Sequence, residues 1–216
     1  MNNQDHKKRI FTSLVLFLMI ILIIKYNFFL ILMLLIFGVF SLIEFFTLIK
    51  KIFKNTILKI IYNSLFTFYI SCFCLTFFYF SNILSLKILL YTLLFGCIAS
   101  DLGGYIIGKT FKGAKLTKIS PKKTISGALG SFAFTIILIV TIIFLFYEII
   151  NYKILMVAFI TSLFCQMGDI FFSFLKRKAK VKDTGNIFPG HGGVLDRIDG
   201  ILLGVPFGFI SINFFY

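Results

Sequence analysis

The sequence predicts an all-α fold: a polytopic integral membrane helical bundle of about seven transmembrane helices, with its N-terminus in the cytoplasm. Three observations predict it. Hydrophobic residues make up 59% of the 216, and mean hydropathy is +1.02, above the roughly half apolar content of a soluble domain. Apolar runs of about 20 residues, the length a helix needs to cross a bilayer, recur along the whole chain. The positive charges, finally, alternate as seven crossings require.

The first run, 10–24, follows Lys7, Lys8 and Arg9 in the manner of a signal peptide. No small-residue cleavage site follows, and a second run begins after Lys25, Tyr26 and Asn27, so an uncleaved helix is expected. It is short, and either spans with help from its flanks or lies in the interface. Runs at 28–49, 57–80, 84–107, 127–147, 154–175 and 198–215 complete the seven. One continuous membrane domain is expected, with N-terminal transmembrane helices over 1–95 and a catalytic half over 96–216. The two long polar stretches, 108–126 and 176–196, are where chemistry should sit.

With a cytoplasmic N-terminus, every lysine and arginine except Lys25, Lys87 and Lys153 falls at a cytoplasmic helix end or loop. Positive-inside bias expects this pattern, and it concentrates the formal net charge of +14 on one face. Topology signalling, attraction to anionic headgroups of membrane lipids and binding of a polyanionic substrate all remain open as its purpose. Nucleic acid is not an expected partner, because the chain has no soluble basic domain. Cys72, Cys74, Cys97 and Cys165 all lie in apolar runs without zinc spacing or a disulfide framework, and read as packing residues.

Asp101 and Asp169 read as the two acids well inside apolar runs, eight residues before Lys109 and seven before Lys176. At about 1.5 Å per residue each lies roughly 10–12 Å below its charge marker, so the two can meet across a bundle. An ionised carboxylate there needs a cation, a metal or a proton; pairing with a lysine or bonding a neighbouring helix is the structural alternative. Asp169, Ser173 and Lys176 share one helix face, with Gln166 one turn earlier, and Asp101 shares its face with Tyr105 and Gly108.

Asp196 and Asp199 stand near the start of the last helix, with Arg197 between them and Gly192-Gly193 just before. One of them can simply complement the helix dipole. The alternative is a metal-phosphate site, since Mg²⁺ takes one or two carboxylates, waters and phosphate oxygens. The Pro189-Gly190-His191-Gly192-Gly193 turn brings backbone N–H groups within reach of phosphate, and His191 could bond phosphate or act as an acid. In the other polar stretch, Ser120 before Pro121 suits a helix N-cap. A helix start flanked by Lys122 and Lys123 makes an anion site.

At these residues the chain resembles the phosphatidate cytidylyltransferases, also called CDP-diacylglycerol synthases. The family pattern runs Ser-x-apolar-Lys-Arg, four residues, Lys-Asp-x-small, two residues, apolar-Pro-x-His-Gly-Gly-apolar-x-Asp-Arg-apolar-Asp. The span from Ser173 to Asp199 meets every fixed position of it. Gly168-Asp169, the Ser120 to Thr124 loop and the Asp101 to Tyr105 spacing also look like the family, so that the resemblance covers roughly the C-terminal half. One position departs: two residues after Thr124 the family usually has Glu, and here it is Ser126. The chain is also short beside the family, which implies fewer helices rather than a missing site.

The resemblance implies transfer of CMP from CTP to phosphatidate, giving CDP-diacylglycerol and pyrophosphate for phospholipid biosynthesis, with Mg²⁺ as cofactor. It implies that Asp169, Asp196 and Asp199 hold metal and that Lys176, Arg177 and Arg197 bind phosphates. Ser120, Lys122, Lys123 and Thr124 would grip the second anion, and Lys182 and Asp183 would orient the loop or nucleotide. Ser173, His191, Gly192 and Gly193 would complete the substrate-binding set, with Asp101 a supporting partner. A multi-pass protein of the inner membrane, with its site on the cytoplasmic side, is expected; a homodimer is left open. The competing readings are a CTP-dependent polyprenol kinase, a CDP-archaeol synthase, an inactive homologue and a membrane transporter.

Overall fold

The computed structural model describes residues 18, 21–117, 119–120, 123–187 and 192–215, the last without its side chain. Six helices are delimited there: α1 (Asn27–Ile52), α2 (Thr56–Ser81), α3 (Leu84–Phe111), α4 (Ile125–Tyr147), α5 (Tyr152–Lys178) and α6 (Leu195–Phe215). Residues 21–25 are helical too, but most of the run expected at 10–24 lies outside the described residues. Helices α1 to α5 are long and apolar enough to cross a membrane, and among the described residues there is no strand, only an isolated bridge between Lys115 and Thr124. The protein is an all-α, multi-pass membrane protein.

The helices outrun the apolar segments that announced them. Helix α5 continues through Lys176, Arg177 and Lys178, and α6 begins three residues before Ile198. Apolar patterning marks the reach of hydrocarbon, whereas charged side chains with good helix propensity carry the same backbone onward.

Local chemistry sets two helix starts. Asn55 accepts the Ile57 N–H at 2.9 Å and caps α2. Thr124, in extended conformation, accepts the Gly127 N–H at 3.1 Å and caps α4. The cap expected at Ser120 is therefore corrected by four residues. The carbonyl of Ser120 instead accepts the Lys123 N–H in a turn, and Thr124, bridged to Lys115, is extended.

Two compact units make up the described chain. One comprises Met1–Ile83 with Leu175–Ile198, the other Leu84–Phe174 with Asp199–Tyr216. In the first, Phe45 of α1 stacks on Phe66 of α2 with ring centroids 3.8 Å apart. In the second, α3 and α4 meet through small residues, the packing mode expected where lipid removes the hydrophobic drive. A Cβ on Gly103 would come within 2.5 Å of the Gly130 carbonyl. The Ser131 hydroxyl donates to the Ser100 carbonyl at 2.7 Å.

Candidate active site

Within the second unit a cavity of about 300 Å³ is lined by Asp101, Tyr105, Ser120, Lys123, Gln166 and Asp169, among others. Lys123 Nζ lies 2.7 Å from Asp169 Oδ2, with the two side chains 30% and 17% exposed. The two acids expected to meet across the bundle thus line one cavity, together with the lysine from the basic loop.

Backbone contact places Asp169. A Cβ on Gly168 would lie 2.5 Å from the Asp199 carbonyl oxygen, and one on Gly200 would lie 2.9 Å from Asp169 Oδ1. These two glycines let α5 and α6 approach until the Asp169 carboxylate rests against the chain at Asp199-Gly200. Asp199 Oδ1 accepts the Gly200 N–H at 3.0 Å. Gln166 Nε2 donates to the Ala128 carbonyl at 3.4 Å, tying α5 to the first turns of α4. Thr124 caps α4 and also lines the cavity. Ser126, where the family pattern has Glu, donates its hydroxyl to the Lys112 carbonyl and sits 3.1 Å from Thr124 Oγ1.

The first unit holds the other constellation. Lys176 Nζ lies 2.6 Å from Asp196 Oδ1, with side chains 14% and 7% exposed. Asp196 Oδ2 accepts the N–H groups of Thr184 at 2.8 Å and Gly193 at 3.1 Å. Asp196 stands in the first turn of α6, ahead of its apolar run. Burial pushes its carboxyl pKa up, but the Lys176 ammonium and the two N–H donors outweigh that and hold it below the usual value. Gly192 has φ of +84°, a conformation that L side chains rarely adopt, and the Asp183 side chain lies against it. Arg177, Lys182, Asp183 and Arg197 are exposed, and Ser173 is half-buried on α5. Lys122 and His191 lie outside the described residues.

One residue of this constellation has no counterpart in the sequence-based expectations. Glu44 lies in α1 and is 3% exposed. Its carboxylate accepts the Thr184 hydroxyl at 2.6 Å and the N–H groups of Val194 and Leu195, each at 2.9 Å. The signal was available: an acid inside the run 28–49, six residues before Lys50, carries the same message as Asp101 and Asp169. Among the described residues no three His, Cys, Asp or Glu side chains cluster as a metal cage. Mg²⁺ does not demand one, since it is commonly held by one or two carboxylates with waters and phosphate oxygens.

Fold and constellations define a membrane protein that keeps lysine–carboxylate pairs and a glycine-hinged loop at the ends of apolar helices, an arrangement suited to phosphate-bearing ligands. A family model described as the cytidylyltransferase family matches residues 1–215, and the chain belongs to that family. It is 42% identical over 133 residues to a protein of Rickettsia typhi named phosphatidate cytidylyltransferase, across 57% of this chain and 58% of that protein. Proteins of the same name from Rickettsia felis and Bacillus subtilis are 43% identical over 131 residues and 41% identical over 120. The matches span 58% and 44% of those two relatives, so this chain covers about half the length of the curated relatives it matches.

Proposed function

We propose that the protein transfers CMP from CTP to phosphatidate at a membrane surface, giving CDP-diacylglycerol and pyrophosphate. The observation that carries this reading is the pattern from Ser173 to Asp199, present in full and folded so that Lys176, Asp196 and Gly193 meet. Membership of the cytidylyltransferase family and the name shared by the relatives support it.

A phosphate oxygen of phosphatidate attacks the α-phosphorus of CTP. The new P–O bond forms as the bond from the α-phosphorus to the bridging oxygen breaks, and pyrophosphate leaves with the electron pair. The nucleophile is already anionic near neutral pH, so positioning and charge neutralisation dominate over base catalysis. The cavity lined by Asp101 and Asp169 fits Mg²⁺ by its carboxylate donors, with Asp169 the assigned ligand and Asp199 its neighbour. Bound there, Mg²⁺ would supply neutralisation of phosphate charge and of the departing pyrophosphate.

Each remaining group has a role that its setting supports. Lys123 pairs with Asp169 and presents its remaining N–H bonds to phosphate, with Ser120 and Thr124 lining the same cavity. Lys176, Arg177 and Arg197 bind phosphate oxygens. Asp196 orients Lys176 and the Gly193 turn through oxygens that accept from both, and the metal-ligand role the family pattern implies for it is compatible with these bonds, since each carboxylate oxygen carries two lone pairs. Lys182 and Asp183 orient the nucleotide. The lysine-rich ends support a site at the cytoplasmic face of the inner membrane, where CTP is available and phosphatidate enters sideways from the leaflet.

CTP carrying the label on either the α- or the γ-phosphate, added with phosphatidate and Mg²⁺ to protein in nanodiscs, tests the reading. Label in lipid from α-labelled CTP alone is expected. Label in lipid from γ-labelled CTP would mark a kinase, and none from either would remove the assignment.

A further inference from the structure

We infer that Glu44 is a positioning residue for the proposed transfer, fixing the flanks of the glycine-rich loop and, through Thr184, the Lys176–Asp196 pair. This rests on the function proposed above, but its structural half can be tested without it.

A carboxylate buried in an apolar helix is costly unless it is bonded. Glu44 is bonded three times, and its donors come from both sides of the loop: the Thr184 hydroxyl on one flank, Val194 and Leu195 on the other. The latter two N–H groups open α6, where they lack partners within the helix and favour negative charge. Space has been left for the carboxylate as well. A Cβ on Gly185 would lie 2.6 Å from Glu44 Oε1, and one on Gly193 would collide with both carboxylate oxygens.

The contacts then continue in one direction. Thr184 gives its hydroxyl to Glu44 and its backbone N–H to Asp196, which holds Lys176 by its other oxygen. Glu44 therefore acts through Thr184 on a residue assigned to phosphate binding, without touching substrate. Apolar packing stabilises a fold as well as a buried charge does. What a three-donor carboxylate adds is direction, since each donor must sit where the oxygens are.

The test uses full-length Glu44→Gln and Thr184→Val. Glu44→Gln keeps the shape but turns an amide N–H₂ toward one set of donors. Hydrogen exchange at Val194 and Leu195 should quicken at least tenfold while α2 amides keep their rates. The kcat/KM for CTP should fall about 10- to 100-fold at temperatures well below the unfolding midpoint, as loss of hydrogen bonds to a charged group predicts. Thr184→Val should cost about three- to tenfold, and the double variant should lose no more than Glu44→Gln alone. Unchanged exchange at Val194 and Leu195 would overturn the clamp. Faster exchange with full activity, or losses that multiply in the double variant, would overturn the positioning role. If Glu44→Gln does not fold, Thr184→Val carries the test, and full activity in it counts against the inference. Wild-type protein without CTP-dependent activity would sink the functional reading and leave the exchange result to judge the clamp.

Discussion

Replacing Asp169 by Asn separates the two things that residue does. Its Oδ2 accepts from Lys123 Nζ at 2.7 Å, and its side chain lines the cavity assigned to metal and phosphate. Deleting the charge in place leaves Lys123 facing a neutral amide of the same shape. A hydrogen bond to a charged group contributes about 1.5–3 kcal/mol when sheltered. With Lys123 30% and Asp169 17% exposed, solvent screening brings the expected stability loss to about 1 kcal/mol. The loss in turnover should be larger. Removing a charge-stabilising group from a preorganised site costs about 10²–10³ in kcat, or about 2.7–4 kcal/mol. The assay is CDP-diacylglycerol formation from labelled CTP, with thermal unfolding of the same preparation in detergent. Stability and activity separate a metal role from an ion pair kept for stability. If the pair is only structural, Asp169→Asn should be active at temperatures where it is fully folded; if Asp169 holds the metal, it should stay inactive there. Activity in Asp169→Asn above about a tenth of wild type would refute the reasoning.

Two further perturbations address the supports of the site. Gly200→Ala places a methyl 2.7 Å from Cys165 Sγ and 2.9 Å from Asp169 Oδ1, so unfolding stability should drop by about 1–3 kcal/mol and activity with it; wild-type values in both would show that α5 and α6 yield there freely. The lowered pKa of Asp196 makes its stabilising contribution fully present above the ordinary aspartate value. That contribution is lost as pH falls through the lower folded value. The thermal midpoint gap between wild type and Asp196→Asn should therefore hold constant from neutral pH down to the ordinary aspartate range and shrink only in stronger acid. A gap that closes between pH 8 and 6 would mean another group controls it.

Much of this protein was legible without coordinates, because bilayer thickness limits what a long apolar run can be. Segments 28–49 through 198–215 all reappear as helices, with α1, α3, α5 and α6 each running three or four residues past an expected end. Depth along a helix predicted that Asp101 and Asp169 could meet, and both line one cavity; pairing with a lysine was the structural alternative, and Lys123 supplies it for Asp169. What escaped depended on contacts distant in sequence. Glu44 finds Thr184 across 140 residues, and no periodicity encodes such a partner. Gly168 and Gly200 became informative only once α5 and α6 were seen back to back. Thr124 displaced Ser120 as the α4 cap because Thr124, bridged to Lys115, is itself still extended, which local propensity does not report. Asp196 accepts from Lys176, Thr184 and Gly193, partners up to twenty residues away that its sequence neighbours do not announce.

The central claim is a nucleotidyl transfer to phosphatidate, and its products distinguish it from a kinase and from a transporter. ³¹P NMR of the purified protein with CTP, phosphatidate and Mg²⁺ should show the CDP-diacylglycerol diphosphate signals and free pyrophosphate growing together, one for one. CDP appearing without pyrophosphate, as a CTP-dependent kinase would give, or CTP persisting unchanged beside phosphatidate, would contradict the account.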